Sequence, residues 1–275
     1  MAKRTAKNSV FLDIFQNKSY LLELYKTLHP EDTGVTEEAL TDITITNVLT
    51  DNLYNDLGFI VSDRLMILVE AQSTWTVNIL VRVLLYLAQS YSEYFQRTRQ
   101  DYYKCRRVRM PKPELYVIYT GNKGRKPEKI SLSEDFFAGA DIDVEVRAKV
   151  IYESDTDDII NQYIIFCKVF NEQTKQFGMT RKAVTETIHI CRDRNVLREY
   201  LAGREKEVVT IMMSLFDEEQ IMKSYIRSEI HDADRATAER MIKLGKYSLE
   251  EISLCVPSVS LNELKEMEAE LMQLA

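Results

Sequence analysis

Apolar positions recur along the chain with two different periods, and the change of period organises it. From residue 8 to 28, Val10, Phe11, Ile14, Phe15, Leu21, Leu22, Leu24, Tyr25 and Leu28 form a broad stripe near the 3.6-residue repeat of a helix. His29-Pro30 closes this helix, because the residue before proline disfavours the α region. Three strand-like runs follow. Asp42 to Leu49 alternates, with Ile43, Ile45 and Asn47 on one side and Thr44, Thr46 and Val48 on the other. Tyr54 to Val61 is the second. Leu65 to Gln72 is apolar on both faces, as a central strand covered on both sides would be. Ser62-Asp63-Arg64 between them is a polar turn of hairpin length. Thr76 to Gln100 predicts a long helix, apolar nearly all round at its start and so expected to be buried against the sheet. Glu114 to Thr120, closed by Gly121-Asn122, and Val144 to Tyr152 read as further strands.

After about Ser154 only helical patterns remain: Asp158 to Gln176, Thr180 to Arg194 and Leu197 to about Leu244. Beyond Gly245 come Ser248 to Cys255 and Leu261 to Leu274, separated by Pro257-Ser258. The order helix, three strands, helix, strand predicts an α/β layer fold over residues 1–154. Residues 155–275 predict an all-helical C-terminal region. No internal repeat is evident.

Composition narrows the class. The chain has 275 residues, 45% hydrophobic and 29% charged, an ordinary globular balance. Its longest apolar stretch, Ile79 to Ala88, is interrupted by Arg82 and is too short for a membrane span of about 20 residues. A soluble, cytoplasmic protein with no membrane partner is expected. Cys105, Cys167, Cys191 and Cys255 form no CxxC pair, and the three histidines lie far from them, so a zinc site of the usual spacing is not expected. The net charge of −7 argues against a nucleic-acid partner only if the charge is evenly spread. It is not. Arg97, Arg99, Lys104, Arg106, Arg107, Arg109 and Lys112 fall in one segment with Asp101 as its only acid, while acids gather around Glu31 to Asp51 and Glu134 to Asp158.

The candidate chemistry lies on the hairpin. If it is symmetric about Asp63, residues whose numbers sum to 126 lie opposite each other, and Asp56 faces Glu70. Opposed carboxylates repel unless a cation sits between them. Gln72, two residues on, points to the same face. A hard divalent ion, Mg²⁺ or Mn²⁺, suits two carboxylates and keeps waters for a phosphodiester and its nucleophile. Spacing alone equally fits a structural arrangement, with Asp56 ending a strand and Glu70 paired to Arg82 or another base.

Asn55-Asp56-Leu57-Gly58-Phe59-Ile60-Val61, Asp63-Arg64-Leu65 and Glu70-Ala71-Gln72-Ser73-Thr74 resemble the bacterial recombination-promoting nuclease/transposase family, part of the PD-(D/E)XK nuclease superfamily. Arg82 in Asn78-Ile79-Leu80-Val81-Arg82, and the run Lys112 to Gly121, are similar to that family's helix arginine and its following strand. The resemblance covers about residues 8 to 135. It implies a restriction-endonuclease-like core and a Mg²⁺-dependent (or Mn²⁺-dependent) DNA endonuclease linked to recombination or mobile elements. It also implies Asp56, Glu70 and Gln72 as catalytic residues, with Asp56 and Glu70 as metal ligands. Gln72 stands where the superfamily usually has lysine. Some superfamily enzymes add a glutamate from the first helix, for which Glu23 is the candidate.

Two further features bear on DNA. Asn78, Arg82, Gln89 and Glu93 form a narrow polar stripe on the apolar helix; Arg82 there would bind a backbone phosphate, or the stripe faces solvent or pairs with Glu70. The basic segment, Arg97, Arg99, Lys104, Arg106, Arg107 and Arg109, with Tyr102 and Tyr103 inside it, would follow DNA phosphates, or is a solvated helix end. The alternative to an endonuclease is a catalytically weakened nuclease-fold module that binds DNA or a protein. A homo-oligomer built on Ile252, Leu254, Leu261, Leu264, Met267, Leu271 and Leu274 is a third role, set against simple core packing.

Overall fold

The computed structural model describes residues 6–43, 57–121 and 127–273. It is an α/β fold built on a six-stranded mixed sheet. Strands β1 (Leu40–Asp42), β2 (Leu57–Val61), β3 (Leu65–Gln72), β4 (Lys112–Tyr119), β5 (Lys129–Ser131) and β6 (Arg147–Ile151) lie in the order β1-β2-β3-β4-β6-β5. β1, β2 and β3 are antiparallel neighbours, β3, β4 and β6 are parallel, and β5 pairs antiparallel with β6. Helix α3 (Ile79–Arg97) makes the crossover from β3 to β4 that a parallel pair requires.

Helix α3 covers one face of the sheet. Ile79, Leu80, Val83 and Tyr86 pack there with Met66 and Leu68 of β3, Val117 and Tyr119 of β4, and Ala148 and Val150 of β6. The helix is buried against the sheet as expected, on one side only: Val81 and Leu85, apolar positions near its start, are 41% and 45% exposed. The opposite face is met by α2 (Lys18–Leu28) at β1 and by α5 (Ile159–Phe177) at β4.

The run from 8 to 28 is two helices, α1 (Ala6–Phe15) and α2. The break comes at Asn17, whose side chain accepts from the Ser19 amide at 3.0 Å and starts a new helix as an N-cap. Apolar periodicity continues across the break because both helices bury the same kind of face. Of the predicted strand Asp42 to Leu49, β1 ends at Asp42, and residues 44–49 lie outside the described residues. Two elements had no strong apolar signal: β5, three residues long, and α4 (Leu132–Phe137), capped by the Ser131 hydroxyl on the Glu134 amide.

The helices after residue 154 are shared between two compact units. The chain divides into compact units Met1–Leu215 and Phe216–Ala275. Helices α5, α6 (Arg181–Asp193) and α7 (Arg198–Leu201) belong to the first. The Phe11 ring lies 4.9 Å from Tyr163 of α5. The Tyr200 hydroxyl donates to Asp13 at 2.6 Å, and Arg204 pairs with the same carboxylate at 3.0 Å. Gly203, at φ +73°, separates α7 from α8 (Glu205–Leu244), which the helical pattern from Leu197 onward did not reveal.

In the second unit, α9 (Leu249–Cys255) starts in a capping box between Ser248 and Glu251, and α10 (Leu261–Gln273) follows. Ile252, Leu264 and Met267 are buried there with Ala238, Val256 and Val259. Core packing therefore takes three of the residues considered for an oligomer surface, whereas Leu254 is 85% exposed.

A polar cluster ties α2 to β4 on the face away from α3. His29 Nε2 lies 3.0 Å from Glu114 and Nδ1 3.1 Å from Glu31. The Tyr116 hydroxyl donates to Glu114 at 2.7 Å. Burial alone would push the Glu114 carboxyl up, but hydrogen bonds from Tyr116 and Lys112 and the charge of His29 outweigh it and hold the carboxyl below its usual value. A depressed carboxylate stabilises the fold above its unfolded pKa and ceases to do so as pH falls through the folded value. Stability of the sheet unit is therefore expected to drop below about pH 4.3, and less steeply in Glu114→Gln. Urea midpoints followed by the single tryptophan, Trp75, check this; identical pH profiles for the two proteins would contradict it.

Candidate active site

The register of the hairpin puts its polar residues in place. Leu57↔Val69, Gly58↔Leu68, Phe59↔Ile67, Ile60↔Met66 and Val61↔Leu65 are paired, so opposed residues sum to 126 as symmetry about Asp63 requires. The turn closes through the Arg64 amide on the Val61 carbonyl at 3.0 Å. Ser62 and Asp63 have φ of 50° and 54°, the left-handed pair that matches strand twist in a tight hairpin. Asp56 lies outside the described residues.

On β3, Met66 and Leu68 point into the α3 core. Side chains alternate along a strand, so Glu70 and Gln72 share that face. Both are buried, at 4% and 8% exposure. Their neighbours on β4 are Val117 and Tyr119. Two polar groups thus close off an apolar stripe at the C-terminal end of β3.

Gln72 is held from two directions. Arg82, in the first turn of α3, donates from its guanidinium to Gln72 Oε1 at 2.6 Å, and Gln72 Nε2 makes a longer contact of 3.5 Å with the Thr76 carbonyl. The sequence left Arg82 facing a phosphate, solvent or Glu70; the structure pairs it with Gln72. A guanidinium and the positive end of the α3 dipole therefore stand at the end of the strand that carries Glu70. Further down the stripe, Gln89 donates to Glu93 at 2.8 Å, so those two residues serve each other.

The end of β4 presses close to this site. The Thr120 amide donates to the Gln72 carbonyl at 2.9 Å. A Cβ on Gly121 would lie 2.2 Å from the Ser73 carbonyl oxygen and 2.5 Å from the Tyr119 hydroxyl, so only glycine fits without displacing backbone. Trp75 meets Tyr119 edge-on with ring centres 5.7 Å apart. The Tyr119 hydroxyl is buried without a hydrogen-bond partner among the described residues.

Oxygen donors set the metal question. Among the described residues, no group of three or more His, Cys, Asp or Glu side chains is placed to hold a metal ion. Glu70 is the one described carboxylate of the expected pair, and the other, Asp56, falls outside. A carboxylate and an amide oxygen are the donor chemistry that Mg²⁺ and Mn²⁺ accept. Glu23 is not part of this site. It lies on α2, in a 350 Å³ cavity with Gln162, Asn195 and Glu199; burial first, and then the Glu199 charge, raise its carboxyl.

The basic residues divide between the two ends of the sheet. Arg82 sits at the Glu70 end. Arg97, Arg99, Lys104, Arg106, Arg107 and Arg109 sit where α3 ends and β4 begins, beside the β2–β3 turn. Six residues of strand at about 3.3 Å each put Arg64, in that turn, about 20 Å from Glu70. Arg64 was not singled out as a cation in the sequence. Only the pairing of Leu65 with Lys112 brings it to the basic segment, and local pattern carries no sign of that pairing. Comparison with protein-family models, curated proteins and solved structures found no match.

Proposed function

We propose that the chain is a metal-dependent DNA endonuclease of the PD-(D/E)XK type that hydrolyses phosphodiesters with Asp56, Glu70 and Gln72. The carrying observation is the end of β3, where Glu70 and Gln72 are buried on one face and Arg82 of α3 donates to Gln72. Asp56 and Glu70 would hold Mg²⁺ or Mn²⁺, which supplies an activated water and neutralises phosphate charge when bound. Gln72 supplies no positive charge of its own. Arg82 brings a guanidinium to it, orients its amide and offers the remaining N–H groups to a phosphate oxygen.

Arg82→Ala removes this charge and leaves the buried Gln72 carbonyl without its donor. A loss of about 10²-fold in cleavage rate is expected, the scale of removing one electrostatic contact to a transition state, together with about 1–3 kcal/mol of stability. Arg82→Lys restores charge without the planar fork and should fall between. Nicking of supercoiled plasmid with Mg²⁺, and its arrest by EDTA, measures this; wild-type rates in Arg82→Ala would remove Arg82 from the account.

The same hydrogen bond supports a second reading. With Gln72 Oε1 occupied by Arg82 and no lysine at that position, the site would be a weakened nuclease that binds DNA or a protein partner. Retained DNA binding with no cleavage in Mg²⁺ or Mn²⁺ would decide for it.

A further inference from the structure

A polar cavity lies at the far end of the sheet from Glu70. It has a volume of about 740 Å³ and is lined by the β2–β3 turn, the end of α3 and the loop to β4. Six cations line it, Arg64, Arg99, Lys104, Arg106, Arg107 and Arg109, against two acids, Asp63 and Asp101. Among the described residues, one ion pair forms inside it, Lys104 with Asp101 at 3.6 Å. A chain of net charge −7 thus concentrates positive charge at one concave place. Uncompensated like charges destabilise a fold, and their gathering in a cleft focuses potential for an anionic ligand.

The loop is a built structure. Gln100 folds its side-chain amide against the loop's other end, donating to the Arg109 carbonyl at 3.1 Å and accepting from the Arg109 amide at 2.6 Å. The Tyr103 amide is held by Asp101 at 3.0 Å, and the Tyr91 hydroxyl by the Pro111 carbonyl at 2.7 Å. Carbonyls in the last turn of α3 are taken by the backbone amides of Thr98, Arg99 and Gln100, so the arginine side chains are not needed to cap them.

Aromatic surface adjoins the charge. Tyr102 and Tyr103 are 54% and 89% exposed, and their rings lie 4.8 Å apart, with Tyr102 resting on Phe95 at 5.8 Å. An exposed tyrosine pair, backed by a buried ring beside a cluster of arginines, offers stacking faces and phosphate contacts together. Duplex DNA keeps its bases stacked on one another and has no use for such a platform, whereas single strands take both contacts. We infer that this cavity is a second nucleic-acid site, about 20 Å from Glu70, that holds a single-stranded segment by phosphate contacts to Arg106 and Arg107 and by stacking on Tyr102 and Tyr103. It does not depend on hydrolysis at Glu70, and its test is run without divalent metal so that the two can fail separately.

Fluorescence anisotropy in EDTA with a labelled 20-nucleotide thymidine strand, and with a duplex of equal length, reads the affinity. The single strand is expected to bind more tightly than the duplex. Tyr102→Ala/Tyr103→Ala should weaken single-strand binding about tenfold or more and leave duplex binding unchanged. Arg106→Ala/Arg107→Ala should weaken both and lower the salt slope by about 1.4, two single-strand contacts at 0.7 each. These side chains are exposed, so the variants should keep the wild-type melting temperature. In a Cys255→Ser background, the bound strand should also shield Cys105, the exposed thiol inside the loop, from maleimide. Equal affinity for single strand and duplex, unchanged binding in the tyrosine variant, or unshielded Cys105 at saturation would each overturn the inference.

Discussion

Glu70→Gln is expected to reduce Mg²⁺-dependent plasmid cleavage by about 10²–10³-fold or more while leaving the protein folded. The substitution keeps shape and hydrogen-bonding reach and removes only the charge. Position 70 is 4% exposed, and its neighbour Gln72 shows that an amide is accommodated on that face. In the proposed site a second carboxylate, Asp56, opposes Glu70 and repels it when no metal is bound, so the urea midpoint measured without metal should hold or rise. This combination separates a functional carboxylate from a structural one: a carboxylate kept for an ion pair would lose stability on replacement and leave any cleavage intact. Unimpaired cleavage by a folded Glu70→Gln protein would exclude Glu70 as a metal ligand.

Phe11→Ala should lower the stability of the sheet unit by about 3–5 kcal/mol, a large share of the roughly 5–15 kcal/mol that holds a typical domain. The ring is fully buried, 4.8 Å from Phe15 and 4.9 Å from Tyr163, and so joins α1 to α5 across more than 150 residues of sequence. Trp75 lies in the sheet unit, between β3 and α3, and its fluorescence in urea reports that unit. A midpoint shift without a change of slope is the expected form. For the same reason, a fragment ending at residue 154 should not fold, since it would expose the faces of α1 and α2 that α5 and α7 cover. A folded fragment, or a shift of less than about 1 kcal/mol in Phe11→Ala, would contradict this packing.

What could be read from sequence followed the range of the interaction involved. The hairpin register was legible because Leu65–Gln72 and its partner are strongly apolar and the Ser62-Asp63-Arg64 turn is short, so local geometry leaves one pairing. β3 emerged with its predicted bounds, Leu65 to Gln72. The unit boundary was not legible. The helices from Asp158 to Leu201 look like any amphipathic helices, and their attachment to α1 rests on Phe11 with Tyr163 and on Asp13 with Tyr200 and Arg204, contacts that no local pattern encodes. The site shows the same division. Glu70 and Gln72 could be placed on one face by alternation, but the partner of Arg82 required the crossover angle of α3. The place of the basic segment was not legible either: a 19-residue helix at 1.5 Å per residue puts it nearly 30 Å from the start of α3, at the end of the sheet away from Glu70.

Hydrolysis at the β2–β3 hairpin is what we propose. Its most direct test is a time course of supercoiled plasmid with purified wild-type protein and Asp56→Ala, prepared identically, in Mg²⁺ and in Mn²⁺. Nicked or linear product from the wild type alone, abolished by EDTA, is the expected result. Equal product from both proteins would place the chemistry elsewhere, and no product from the folded wild type in either metal would contradict the claim and leave the binding module as the function.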